Sequence, residues 1–164
     1  YTSDIKYSNV NYFSVIGDYR YYQRFAQTTL LAFRGAIFYN EGKEARLYYV
    51  GGSWDLRGWP RFGIRGEKIW LTSLEFRFPL IDQLGIRFPF FNLGFPGIRG
   101  AIFYDMGGAW NDDYTSTIGS VGFGFRFNLF GVMTLRYDMG KKIEENYSRF
   151  QDGWFYQFFF GWDF

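Results

Sequence analysis

The sequence contains no cysteine and no histidine, and only 4 prolines in 164 residues. Lack of cysteine removes any disulfide framework and any thiolate nucleophile or metal ligand. Lack of histidine removes the commonest metal ligand and the side chain that shuttles protons near neutral pH. The chain has no uninterrupted apolar run of about 20 residues, so it does not read as a helical membrane protein. A formal net charge of +2 leaves little basic excess with which to neutralise a phosphate backbone. Nucleic acid is therefore not an expected partner.

Against these absences stands an excess of rings. Aromatic residues make up 26% of the chain and hydrophobic residues 48%, yet the mean hydropathy is −0.22. Alternation reconciles the two, because a strand that sends every second side chain to lipid and the others to a polar interior has unremarkable average hydropathy. The end of the chain shows the pattern most clearly. Trp154, Tyr156, Phe158, Phe160, Trp162 and Phe164 share one parity, and Phe155, Gln157, Gly161 and Asp163 the other. Val121, Phe123, Phe125, Phe127 and Leu129 likewise alternate with Ser120, Gly122, Gly124, Arg126 and Asn128. Met133, Leu135, Tyr137 and Met139 alternate with Thr134, Arg136, Asp138 and Gly140. Glycine on the inner parity suits strong curvature and close contact with whatever fills the interior.

The same rule extends upstream and predicts seven spanning strands, at 12–25, 28–40, 69–80, 97–110, 118–129, 132–141 and 154–164, with an eighth, truncated, at 1–7. Tight turns at 26–27 and 130–131 belong on the periplasmic side, and the longer polar connections 41–68, 111–117 and 142–153 outside. Residues 81–96 break the rule, being long and apolar on the short-turn side. They are expected to rest at the membrane edge, or else to pack as a loop under the barrel.

Four motifs in order carry a family resemblance: LRGW (Leu56, Arg57, Gly58, Trp59) in the long external loop, SLEFRFPL at 73–80, AIFYDMGGAW at 101–110, and the terminal aromatic ladder. Together they resemble the BamA superfamily, also called the bacterial surface antigen family. The resemblance implies an all-β fold, a transmembrane antiparallel up-and-down β-barrel. About eight of its strands lie here, as the C-terminal half of a 16-stranded barrel, with residues 41–68 folding into the lumen. It places the protein in the outer membrane of a Gram-negative-type cell, assisting insertion or translocation of proteins there. The alternative is a non-insertase membrane anchor or structural subunit for an attached domain or complex. Implied partners are outer-membrane lipid, unfolded outer-membrane proteins and other subunits of a membrane complex. In the family the matching arginine contacts strand carboxylates and pins the loop to the inner wall. The ladder Tyr156, Phe158, Phe160, Trp162 and Phe164 resembles the C-terminal signal read during assembly of such proteins. Trp59 stands where Phe or Tyr is usual.

The residues support the pinned loop on their own account. Arg57 sits in a glycine-studded loop, and Glu75 and Asp105 fall on the inner parity of adjacent strands, where either could accept a guanidinium fork. A desolvated arginine without such partners would be costly. A closed eight-stranded barrel is the less fitting architecture, because the 41–68 loop would crowd a lumen that eight strands barely keep open. Other candidates are weak. GFGFR at 122–126 lies in alternating strand with no helix after it. Asn111, Asp112 and Asp113 read as a solvated turn more readily than as a calcium site. Arg34, Arg126, Arg136 and Asp138 read as polar lumen lining before a conducting pore. No nucleophile stands beside a base, so neither an enzyme nor a cofactor nor a metal is expected.

Overall fold

The computed structural model describes residues 10–129 and 133–162, and among these the elements are all strands. In chain order they are β1 (Asn11–Arg24), β2 (Leu30–Lys43), β3 (Tyr48–Val50), β4 (Ile64–Gly66), β5 (Lys68–Arg87), β6 (Asn92–Trp110), β7 (Ile118–Leu129), β8 (Met133–Glu144), β9 (Arg149–Phe150) and β10 (Phe155–Trp162). The long strands form one antiparallel meander in the order β1-β2-β5-β6-β7-β8-β10. The short β9 returns onto the end of β8, and β3 pairs with β4 in a separate hairpin within the long loop. The sheet is open: β1 and β10 are its edges and do not pair with each other.

Period-two patterning fixes the two faces, since a one-residue slip would exchange them. On one face, register places Phe76, Ile102, Phe123, Met139 and Tyr156 in a single row across five strands. Most large side chains of this face are exposed, including Tyr156, Phe158 and Phe160 on the β10 edge. On the other face the row through Glu75 continues with Phe103, Gly122, Gly140 and Phe155. The two glycines in that row clear room for the rings beside them. A Cβ on Gly122 would lie 2.8 Å from Phe103 Cζ, and one on Gly140 3.1 Å from Phe155 Cε1. The long loop covers this inner face. Its β3–β4 hairpin brings Val50 onto Ala36, Ile69 and Leu71, flanked by Phe38, Tyr48, Ile64 and Ala109, which forms the apolar core.

Several boundaries differ from the sequence reading. Residues 81–96 are not a loop, as the sequence reading had them, but strand on either side of a short turn. β5 and β6 run on as a two-stranded hairpin, from Ile81 opposite Ile98 to Arg87 opposite Asn92, after a bulge between Pro79 and Ile81. Two features explain the misreading: the bulge shifts the register in mid-strand, and the alternation is interrupted by Gly85, Gly94 and Pro96. β2 reaches Lys43 and β8 reaches Glu144, so both run further into the following loops than their apolar alternation does. The expected strand at 1–7, the turn at 130–131, Asp163 and Phe164 lie outside the described residues, as does the side chain of Trp162.

The face assignment predicts that a nitroxide at position 158, in protein reconstituted in a bilayer, is reached by oxygen and not by a water-soluble relaxant. A nitroxide at 157 should be shielded from both. Equal accessibility at 157 and 158 would show the register to be wrong.

Candidate functional site

Residues 51–59 fold onto the inner face as a compact double turn. Gly52 N–H donates to Trp59 O (3.0 Å), Asp55 N–H to Gly52 O (3.3 Å), and Trp59 N–H to Leu56 O (3.4 Å). Leu56 is fully buried beneath it. Gly58 has φ +82, and a Cβ there would lie 2.5 Å from the Phe155 ring. Only glycine meets both demands, left-handed backbone and contact with a ring. This turn aims Arg57 at the middle of the sheet.

The guanidinium of Arg57 is held on every side. Nε donates to Asp105 Oδ2 at 2.6 Å and Nη2 to Asp105 Oδ1 at 2.7 Å, a two-pronged fork on one carboxylate. Nη1 donates to Glu75 Oε2, and Nη2 also reaches Ser73 Oγ at 3.0 Å. The backbone N–H of Arg57 adds a contact to Asp105 Oδ2 at 3.2 Å. Its flat face lies 3.8 Å from the Phe103 ring centroid. Arg57, Glu75 and Asp105 are 4%, 6% and 0% exposed, so water contributes little to screening them. Burial alone would lower the Arg57 pKa; the charge and hydrogen bonds of Asp105, and then the charge of Glu75, outweigh it and raise the pKa above its ordinary value.

The pair of carboxylates belongs to a wider lattice. Arg126 Nη2 donates to Glu75 Oε2 (2.8 Å) and Nη1 to Asp138 Oδ1 (3.1 Å), while Arg77 Nε donates to Glu75 Oε1 (2.6 Å). Ser73 Oγ donates to Asp105 Oδ1 at 2.6 Å. Arg136 Nε is 2.9 Å from Asp138 Oδ2, but its N–H is not aimed at that oxygen, which makes this an ion pair without a hydrogen bond. Shared partners hold each side chain in place before the next contact forms, so the ordering entropy per contact is smaller than for isolated pairs.

The loop also touches the strands on either side. Arg34 Nη1 donates to Trp54 O (2.9 Å) and Asp55 Oδ1 (3.1 Å), and Trp59 Nε1 donates to Gly119 O (3.0 Å). Gly58 N–H donates to Gln157 Oε1 (3.2 Å), and Trp54 meets Phe159 edge-on at 4.8 Å between centroids. One loop thus bridges from β2 to β10. Outside it, the turn after β8 carries Glu145, Asn146 and Tyr147 in left-handed conformations, and the Tyr147 hydroxyl donates to the Asp105 carbonyl. Burial, and then neighbouring Tyr104 and Asp105, push the Tyr147 phenol up from its ordinary value.

The structure thus brings together Arg57, Glu75 and Asp105, with Leu56, Gly58 and Trp59 packed around them. Arg126, Arg136 and Asp138, read from sequence as lumen lining, join the same lattice. Arg34 instead pairs with Asp18 and Asp55. Tyr156, Phe158 and Phe160 are remote from the lattice, on the opposite face. Asn111, Asp112 and Asp113 are exposed, and Asn111 accepts from Glu67 N–H at 3.0 Å. Sequence reading missed Ser73, Phe103, Gln157 and Tyr147. The first three sit on inner parity, and Phe103, an apolar ring on a polar face, was a usable cue; Tyr147 lies in a turn, where parity carries no information.

Comparison with known proteins gives one family: the Omp85 superfamily domain matches residues 1–164. No curated protein and no solved structure gives a match.

Replacing Arg57 with Met should leave Asp105 buried without its cation, while Glu75 keeps Arg77 and Arg126, and destabilise the fold by about 3–5 kcal/mol, read as a lower temperature of unfolding in detergent. Arg57→Lys, which keeps the charge and loses the fork, should recover only part of that. Gly58→Ala, which strains φ and strikes Phe155, should free the loop for proteolysis between residues 51 and 62 while the remaining strands stay resistant. Unchanged protease resistance would show that the loop is held by other contacts.

Proposed function

The chain belongs to the Omp85 superfamily, and from that membership we propose that it works as part of a BamA-type β-barrel that assists insertion or translocation of proteins at the outer membrane. Members of this superfamily are outer-membrane β-barrel proteins, and an all-β antiparallel sheet with one aromatic, exposed face accords with that setting. In this reading β1 and β10 are joined by further strands into a 16-stranded barrel. β10 then lies at the seam, where its free edge offers backbone donors and acceptors to an incoming strand.

The observation that carries the reading is the buried Arg57 clamp and its reach to the edge. Arg57 is fixed on β5 and β6, and from that anchor Gly58 holds Gln157 while Trp54 meets Phe159 on β10. A loop fastened at one end to the rigid middle of the sheet and at the other to its edge strand sets the angle at which that strand is presented. The lattice therefore keeps an otherwise unpaired edge from sagging or pairing at random, which is the hazard of any long free edge. Substrates are unfolded outer-membrane proteins, and lipid contacts the aromatic face.

The test is reconstitution of the full-length protein in liposomes and measurement of the folding rate of a urea-unfolded outer-membrane protein. The protein should accelerate insertion by about tenfold or more over empty liposomes, equivalent to about 1.4 kcal/mol off the barrier. Arg57→Lys, assayed where the barrel remains folded, should lose most of that gain. No acceleration by the intact protein would favour the anchor reading, in which the barrel only holds an attached domain or complex at the membrane.

A further inference from the structure

We propose that Arg136 is a positioning residue for the edge strand: it locks Trp54 of the loop against Phe159, and so fastens the far half of β10 independently of the Arg57 clamp. Register sets Arg136 on β8 directly opposite Phe159 on β10 and Arg126 on β7. Its guanidinium carbon lies 5.7 Å from the Trp54 ring centroid and 5.4 Å from that of Phe159, in the corner the two rings make by meeting edge-on at 4.8 Å. Nη2 donates to the Ser53 carbonyl. One side chain therefore holds the backbone just before Trp54 and both rings of the contact.

The position is a costly one for a side chain that only fills space. Arg136 faces Arg126 across the β7–β8 rung, and like charges directly opposite each other are destabilising. Its Nε–H is buried without a hydrogen bond, although Asp138 stands close enough to pair with the charge. Asp138 already has Arg126 as a partner. A neutral side chain at 136 would avoid both penalties. What the arginine adds is the hold on Ser53 and a flat cation against two rings, an attraction that strengthens away from water.

Nor can the loop slide to relieve the pull. Arg34 on β2 donates to the Trp54 carbonyl, the next along from that of Ser53, and to Asp55. β2 and β8 are four interstrand steps apart, roughly 19 Å along the sheet at about 4.8 Å per step. Two arginines on opposite sides of the loop thus grip consecutive carbonyls, and Trp54 is fixed where it meets Phe159. Gln157, by contrast, is held by Gly58 N–H, next to Arg57 itself. β10 therefore has two fastenings to the loop, one at 157 that depends on Arg57 and one at 159 that depends on Arg136. Only the consequence for insertion rests on the proposed function.

The experiment follows backbone hydrogen exchange along β10 and through residues 56–59 of the full-length protein in liposomes, with insertion of a urea-unfolded outer-membrane protein assayed on the same samples. Arg136→Lys keeps a charge beside Asp138 but loses the flat face and the reach to Ser53. It should speed exchange at 158–161 by about tenfold, a shift of about 1.4 kcal/mol in local opening, and leave 56–59 unchanged. Trp54 is 54% exposed and outside the ion pairs, so Trp54→Leu should fold and give the same signature, because Arg136 acts through that ring. Both variants should lose most of the acceleration of insertion. Unchanged exchange at 158–161, a rise that spreads to 56–59, or full insertion activity from a loosened edge would each overturn the proposal. Absence of acceleration by the unmodified protein would instead overturn the proposed function, and exchange at 158–161 against 56–59 would still decide whether Arg136 fastens the edge.

Discussion

The structure depends on one buried cation. Arg57 leaves water to sit between Asp105, Glu75 and Phe103, and pairs with both carboxylates from the loop side. Burying such charges is costly unless nearly every donor and acceptor is matched, and that demand shapes the surroundings. It explains the compact turn that aims the arginine, the glycine at position 58 that lets Phe155 close over it, and the small residues of the Phe103 row. Lattices of this kind specify a position more than they add stability. The loop has one register on the sheet because only one register pairs the charges.

From that fixed point the rest of the interior follows. Arg126 shares Glu75 with Arg57 and passes the network on to Asp138 and Arg136, so the two strands beyond the anchor, β7 and β8, are tied to the same charges. The β3–β4 hairpin closes the apolar end of the inner face, and the Gly58–Gln157 contact brings the edge strand under the same control. Among the described residues the opposite face carries no buried network of ion pairs. Its aromatic rows are exposed, as suits a surface whose solvent is lipid.

Much of this was legible in the sequence because period-two alternation encodes which face a residue occupies. Glu75 and Asp105 could be named as the partners of Arg57 from parity together with the family resemblance, and parity also placed Arg126 and Asp138 inside, though not whom they bind. What alternation could not give was pairing across the sheet, which depends on register, or the contacts of turns, which have no parity; Tyr147 is the example. The hairpin at 81–96 was misread for a related reason. A bulge displaced the pattern, two opposed glycines thinned it, and an apolar strand that pairs, among the described residues, with its hairpin partner alone looks from its sequence like a segment lying on a membrane.

The central claim is that the charges of Arg57 and Asp105 act as a unit to hold the loop. A double-mutant cycle with Arg57→Met and Asp105→Asn, each measured singly and together by reversible unfolding of the membrane-reconstituted protein, measures that coupling directly. The account predicts a coupling of about 1–3 kcal/mol, with the double variant losing less than the sum of the single losses. Losses that add to within about 0.5 kcal/mol would contradict it, since independent residues do so.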